Sequence, residues 1–393
     1  MNIKEKINEL NDELINLRRD FHKHPELGFE EFRTAEIVAD YLRNCGIEVT
    51  ENVAKTGVVG LLKGDKPGKT LMLRADMDAL PIQEKNEVEY KSVNEGVMHA
   101  CGHDGHTAML LVAAKILSQN TDKLHGNVKF VFQPNEESAG ARQMIDEGVL
   151  ENPKVDGAFG IHLWSPIESG KIAISHGAVM GGLYEFELKI TGQGGHTSAP
   201  HTAIDPIVTA SNIIQSVQTI QTREIDPLKP TLIMFGQING GTATNIIPEE
   251  VVLRGTIRYL YRDKPDGAER PTERFERIID NVCKSHRAKY ELEYIVESPP
   301  VYNNEEMVQY AYETAQEVLG GPENIVDYTN LAGEDFGEFS DEVPSTFYFI
   351  GIRNEEKETD FDHHHPRFNI DEDTLAYGVE MHVRSALNYL SNE

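Results

Sequence analysis

The sequence predicts an α/β protein with helices packed on a mixed central sheet, interrupted by a smaller ferredoxin-like βαββαβ insertion. Three observations carry this expectation. Short apolar runs alternate with helical patterns through the first part of the chain. Near residue 180 the pattern changes to the apolar/polar alternation of half-exposed strands. Beyond the proline pair in ESPPVYNN (297–304) the first pattern resumes.

Taken in order, MNIKEKINELNDELINLRRDF reads as an amphipathic helix and FRTAEIVADYLRNCG as a second. TGVVGLL, TLMLRADM and NVKFVFQ read as strands. Between the last two lies TAMLLVAAKILSQN, apolar nearly all round, which suits a helix buried against a sheet. DGAFGIHLW is a further strand. In the middle of the chain, GGLYEFELKITG, AIDPIVTASNIIQSVQTI, TLIMFGQI, VVLRGTIRYL, PTERFERIIDNVCKSH and KYELEYIV follow in the order βαββαβ. The chain ends in a long helix, DEDTLAYGVEMHVRSALNYL. The expected domains are 1–180 with 298–393, and an inserted domain at 181–297.

With 393 residues the chain is long enough for two domains and a substantial core. Its net charge of −28 argues against nucleic acid and anionic membrane as partners. No apolar run reaches spanning length, and the charged N-terminus lacks the apolar stretch of a signal peptide, so the expected location is the cytoplasm. Cys45, Cys101 and Cys283 are too few and too scattered for a disulfide framework.

Four chemistry-bearing clusters fall where functional residues gather in open α/β sheets, beyond strand ends. They are RADMDALP (74–81), HACGHDGH (99–106), QPNEES (133–138) and GIHLW (160–164). Cys101 and His103, one residue apart, face the same way if the backbone is extended. A thiolate and an imidazole suit zinc or a similar first-row ion. A histidine-activated cysteine nucleophile, or a packed cysteine beside helix-capping histidines, is equally open on this segment alone. Glu136 and Glu137 follow an apolar strand, so one can ligate a metal while the other takes a proton from water. His162 ends a strand, and DHHHPRF (362–368) precedes the last helix. Cys101, His103, Glu137, His162 and one late histidine make five ligands. One catalytic zinc takes about three plus water, whereas two ions about 3.5–4 Å apart would use five.

In their order along essentially the whole chain, FHKHPELGFEEFRTA, RADMDALP, MHACGHDGHTAMLL, FQPNEES, GIHLW, GQGGHTSAPH, TATNIIPE, GTIRY, AGEDF and HHHPRF resemble the dinuclear metal amidohydrolases of the aminoacylase and carboxypeptidase-G superfamily. Within it the chain is similar to the branch of hippurate hydrolase, bacterial N-acyl-amino-acid amidohydrolases, N-acetyldiaminopimelate deacetylase and plant auxin-conjugate hydrolases. The resemblance implies two divalent ions (Zn, Mn, Co or Ni) on Cys101, His103, Glu137, His162 and His364, with His365 as the runner-up for the last. It implies Glu136 as general base and His196 as the oxyanion donor, reaching in several relatives from a partner subunit. Asn245 and Arg258 would hold the substrate carboxylate, and Asp76 would orient a ligand from behind. Many relatives in the wider superfamily carry a histidine where this chain has Arg74. The implied activity is hydrolysis of N-acyl-L-amino acids by a homodimer or higher homo-oligomer, with the insertion as a lid and dimerisation domain. A dipeptidase or carboxypeptidase, a deacetylase of N-acetyldiaminopimelate, a silent scaffold and a cysteine hydrolase are the rivals.

Overall fold

A computed structural model describes residues 2–262 and 269–391. The chain forms two compact units, one made of Met1–Val179, Val301–Thr329 and Asp335–Glu393, the other of Met180–Pro300 and Asn330–Glu334. The short segment 330–334 belongs to the second unit, although the sequence pattern groups it with the flanking chain.

The first unit opens with α1 (Ile3–Glu9), α2 (Asn11–Lys23) and α3 (Phe32–Asn44). What reads as one N-terminal helix is two, joined at Leu10. Then come β1 (Glu48–Val53), β2 (Gly57–Lys63), β3 (Lys66–Asp76), α4 (His103–Ser118), β4 (His125–Gln133), α5 (Ala141–Asp146), β5 (Gly157–Glu168), β6 (Ile172–Ala173) and β7 (Gly177–Met180). After the second unit the chain adds β14 (Val301–Asn303), α8 (Glu305–Leu319), β15 (Ile325–Val326), α9 (Phe336–Glu342), β16 (Ser345–Arg353) and α10 (Leu375–Tyr389). The central sheet is mixed and eight-stranded, in the order β1-β2-β4-β3-β5-β16-β6-β15. Its middle strands, β4, β3, β5 and β16, run parallel. Parallel central strands must be covered on both faces, which is why they read as near-continuous apolar runs. Every residue of α4 from His103 to Ala114 is buried, as its all-round apolar character requires.

The second unit carries β8 (Gly182–Thr191), β9 (Gly195–His196), α6 (Pro206–Thr219), β10 (Thr231–Gly240), β11 (Ile246–Ile247), β12 (Glu250–Tyr259), α7 (Pro271–His286) and β13 (Lys289–Ser298). Its four-stranded antiparallel sheet has the order β10-β12-β8-β13, the ferredoxin-like arrangement. Tyr184, Phe186, Leu188 and Ile190 alternate inward along β8 and pack with Ile213 and Val217 of α6 and Phe275, Ile279 and Cys283 of α7. Among the described residues, no helix is long and apolar enough to cross a membrane.

Candidate metal centre

The parallel strands β3, β4 and β5 bring their C-terminal ends together, and the first unit's chemistry collects there. β3 ends at Asp76, paired in register with Gln133 at the end of β4, and His162 lies on neighbouring β5. Cys101 and His103 do not share an extended backbone, contrary to the simple spacing argument. Gly102 takes φ +97° and α4 begins at His103, so a helix start aims the imidazole. Only a residue without Cβ adopts that conformation readily.

Ligand-capable atoms of Cys101, Glu137 and His364 lie within 4.8 Å of one another, as do those of His103, Glu136 and Glu137, and those of Cys101, His162 and His363. Glu137 links the first two groups, and Cys101 links the first and third. The hydrogen bonds sort the histidines. His103 Nδ1 donates to the Asp78 carbonyl at 2.8 Å, because a carbonyl can only accept. That leaves His103 Nε2 buried and without a hydrogen-bond partner, 3.8 Å from both Glu136 Oε2 and Asp76 Oδ2. His162 Nδ1 donates to the Leu163 carbonyl at 2.8 Å, which turns Nε2 toward Cys101 Sγ at 3.6 Å. Such bonds from the far ring nitrogen are how ligating imidazoles are held in tautomer and aim.

His106 is different. Its Nε2 accepts from Leu163 N at 2.9 Å and its Nδ1 donates to Asp76 Oδ1 at 2.6 Å, so both nitrogens are used. His363 is used up in the same way, by the Leu163 carbonyl (3.0 Å) and Ser165 Oγ (3.1 Å). His364 takes φ +64°, anchors its amide on the Ala100 carbonyl at 2.8 Å, and sets Nε2 3.3 Å from Glu137 Oε1. His365 instead stacks on Phe361 with ring centroids 4.7 Å apart. Glu137 Oε1 has no hydrogen-bond partner of good geometry. Asp78, a strand-end aspartate of RADMDALP, holds two of these residues. Besides His103, its Oδ2 accepts from Glu137 N at 3.1 Å.

Asp76 reaches none of the expected ligands by a hydrogen bond. It binds His106 and, at 2.6 Å, Arg74 Nη1. Arg74 is fully buried and also bonds Gln133 Oε1 (2.8 Å) and Asp335 Oδ1 (3.1 Å), so a permanent cation stands two residues before Asp76 on β3.

Charge tells the same story as geometry. Burial disfavours a charged His103, yet Asp76, Asp78 and Glu137 outweigh it and raise its pKa to about 10. Burial, with the carboxylates of Glu137, Glu136 and Asp76, pushes the Cys101 thiol well up. Burial also holds His162 well below the usual imidazole range. A pocket of sulfur, nitrogen and oxygen ligand atoms with excess negative charge, some buried without a hydrogen-bond partner, fits divalent cations. A cation there reverses both shifts, drawing Cys101 toward thiolate and His103 toward neutral imidazole.

The second unit holds the remaining expected residues. His196 on β9 is exposed and pairs with Ile246 of β11, and its Nδ1 accepts from Ser198 N at 3.1 Å. His196 and Asn245 line one cavity of about 890 Å³ with Gly240, Pro248 and Glu249. Arg258 on β12 is not among its lining residues. It is half-buried and donates from Nη1 to the Leu331 carbonyl at 2.8 Å.

An α/β sheet whose parallel strand ends gather such donors around paired carboxylates defines a hydrolase with a centre built for divalent metal. The chain belongs to the peptidase family M20/M25/M40, whose model matches residues 72–388. It is 39% identical to thermostable carboxypeptidase 1 of Saccharolobus solfataricus, over 98% of both chains. It is 35% identical to N-acetyl-L-cysteine deacetylase of Bacillus subtilis, over 98% of this chain and 91% of the other. Among solved structures, a putative aminohydrolase from methicillin-resistant Staphylococcus aureus superposes with a TM-score of 0.91 at 35% identity, covering all of both chains. The Bacillus subtilis YXEP protein, described as a dinuclear metal-binding peptidase, superposes with a TM-score of 0.83 at 31% identity, covering 98% of this chain and 99% of that one.

Proposed function

We propose that the protein hydrolyses the amide bond of N-acyl-L-amino acids to a carboxylic acid and a free amino acid. The observation that carries this reading is the pairing of Glu136 with the donor cluster, since a carboxylate beside His103 and Glu137 is what a hydrolytic base requires. Cys101, His103, Glu137, His162 and His364 are the residues that would hold two ions, zinc, manganese, cobalt or nickel. Divalent metal bound there would polarise a carbonyl and lower the pKa of water to about 7.

The chain's own groups do the rest. Glu136 takes a proton from the attacking water as its oxygen bonds to the amide carbon. His196 donates to the oxyanion, a contribution worth about 10²–10³ in rate. Glu136 returns its proton to the departing nitrogen as the C–N bond breaks, so the base ends as it began. Asn245 and Arg258 bind the free carboxylate of the substrate, and Asp76 steadies the centre from behind through His106. In this reading the first unit is the catalytic domain. The second is a lid and dimerisation domain in a homodimer or higher homo-oligomer.

Glu136→Gln is expected to retain its metal and lose turnover; an active variant with all ligands intact would sink the base assignment. The 39% identity to a protein named a carboxypeptidase favours a second reading, peptide hydrolysis at the same centre. Release of amino acid from a panel of N-acetyl, N-benzoyl and N-succinyl amino acids, N-acetyldiaminopimelate and dipeptides separates the two. Faster cleavage of dipeptides than of every N-acyl amino acid would select the second.

A further inference from the structure

The stretch FHKHPELGFEEFRTA (21–35) has no part in the chemistry above, yet it reaches the neighbours of three residues at the centre. His22 Nδ1 meets Asp104 Oδ2 at 2.8 Å, one residue after His103. The Glu26 carbonyl accepts from Ala79 N at 2.8 Å, one residue after Asp78. Glu31 Oε1 accepts from Asn135 N at 2.9 Å, one residue before Glu136.

The last contact is the most pointed. Glu136–Ser138 form a single 3₁₀ turn between two left-handed residues, Asn135 at φ +54° and Ala139 at φ +66°. L-residues disfavour that region, alanine strongly, so the turn persists only where its surroundings fix it. Glu31 is wholly buried, and its second oxygen accepts from Thr56 Oγ1 at 2.5 Å. A buried carboxylate whose direct partners here are an amide and a hydroxyl is costly, and nothing in the packing alone calls for one. From the other side, a Cβ on Gly28 would fall 2.0 Å from Asn135 Oδ1, so glycine alone lets Asn135 sit where it does. The Gly140 amide closes the turn on the Asn135 carbonyl at 2.8 Å.

We infer that Glu31 is a positioning residue for Glu136. By fixing the Asn135 amide, with Gly28 giving room to the Asn135 side chain, it sets the aim of the next residue's carboxylate. The inference rests on the reading of Glu136 as the base. Displacing a reacting group by about 1 Å can cost about 10² in rate.

The test uses the full-length, metal-loaded protein and the best substrate of the panel. Glu31→Ala is expected to lower kcat by about 10–100-fold, with KM changed less than about 3-fold and metal content unchanged. In the metal-free protein, the same variant should speed amide hydrogen exchange across residues 135–140. Glu31→Gln keeps the accepting oxygen and should restore both kcat and exchange protection. Gly28→Ala should lower kcat with the same selectivity, and covers the case in which Glu31→Ala fails to fold. The inference is overturned if both alanine variants keep kcat within about 2-fold, or if kcat, KM and metal content change together, or if Glu31→Gln is as poor as Glu31→Ala. Glu136→Gln assayed alongside separates the two ideas. An active Glu136→Gln overturns the base reading, whereas an inactive one beside unimpaired Glu31→Ala and Gly28→Ala overturns this inference alone.

Discussion

Residues 99–106 and 362–368 are both rich in histidine, and the fold treats them oppositely. In the first stretch every residue is buried. Arg18 Nε pairs with Asp104 Oδ2 at 2.9 Å, and the helix start fixes His103. In the second, three consecutive histidines meet three fates. His363 is saturated by two hydrogen bonds, His364 turns through a left-handed backbone toward Glu137, and His365 stacks on Phe361. The lesson is that histidine content does not make a ligand. What matters is an imidazole nitrogen left over and facing the other donor atoms.

The largest expected effect tests that rule in the buried stretch. His103→Ala or Cys101→Ala should lose bound metal and hydrolysis together, measured by elemental analysis and product release. His106→Ala should retain metal, since neither of its nitrogens is spare; loss of metal from it equal to that from His103→Ala would break the comparison.

Next comes the support of the buried stretch. Arg18 and Asp104 are both wholly buried, so Arg18→Ala leaves Asp104 with His22 as its one remaining ion-pair partner among the described residues and should cost about 3–5 kcal/mol in denaturant unfolding. A cost below about 1 kcal/mol would mean that the loop does not depend on this pair.

Asp78→Asn comes third. It weakens the carboxylate that braces Glu137 and sits 3.2 Å from His103 Nδ1, and should lower metal affinity or activity by about 10–100-fold. Competition with a chelator dye reads the affinity directly.

The fourth expectation concerns pH. In the metal-free protein, His103 has a pKa raised from 6.5 to about 10. A raised pKa means that the folded state holds the proton more tightly, so its stabilisation is fully present below pH 6.5 and is lost as pH rises through about 10. Metal must displace that proton and the one on Cys101, so affinity should climb with pH across the same window. Isothermal titration in buffers of different ionisation enthalpy counts the protons released. Binding with no proton release would contradict this electrostatic account.

The smallest effect is in the second stretch. His365→Ala should leave metal content intact and change stability by about 0.5 kcal/mol or less, whereas His364→Ala should lose metal. The reverse outcome would move the late ligand one residue along.

Much of this was legible beforehand, for identifiable reasons. Continuous apolar runs mark the parallel strands, and the alternation in GGLYEFELKITG marks β8, because burial on two faces or one leaves a direct trace in sequence. The clusters at strand ends announce themselves by residue type. What stayed hidden is set by distant partners. That His103 Nε2 is left over depends on the Asp78 carbonyl, and the saturation of His106 and His363 depends on the backbone of Leu163. Backbone groups carry no residue signature. Likewise the extended spacing argument for Cys101 and His103 could not foresee a helix starting at the second ligand, although Gly102 between them was the available signal. Asp78, two residues beyond Asp76 in RADMDALP, carries no signal of its own, because a strand-end aspartate has an ordinary use in turns.

The most direct test of the central claim is reconstitution. The protein is stripped with chelator, then titrated with zinc, manganese or cobalt while release of amino acid from an N-acyl amino acid is followed. The account predicts no turnover in the stripped protein, recovery that rises with bound metal and saturates near two ions per chain, and no recovery by Glu136→Gln at the same metal content. Full activity in the stripped protein would contradict it and would return Cys101 to consideration as a nucleophile.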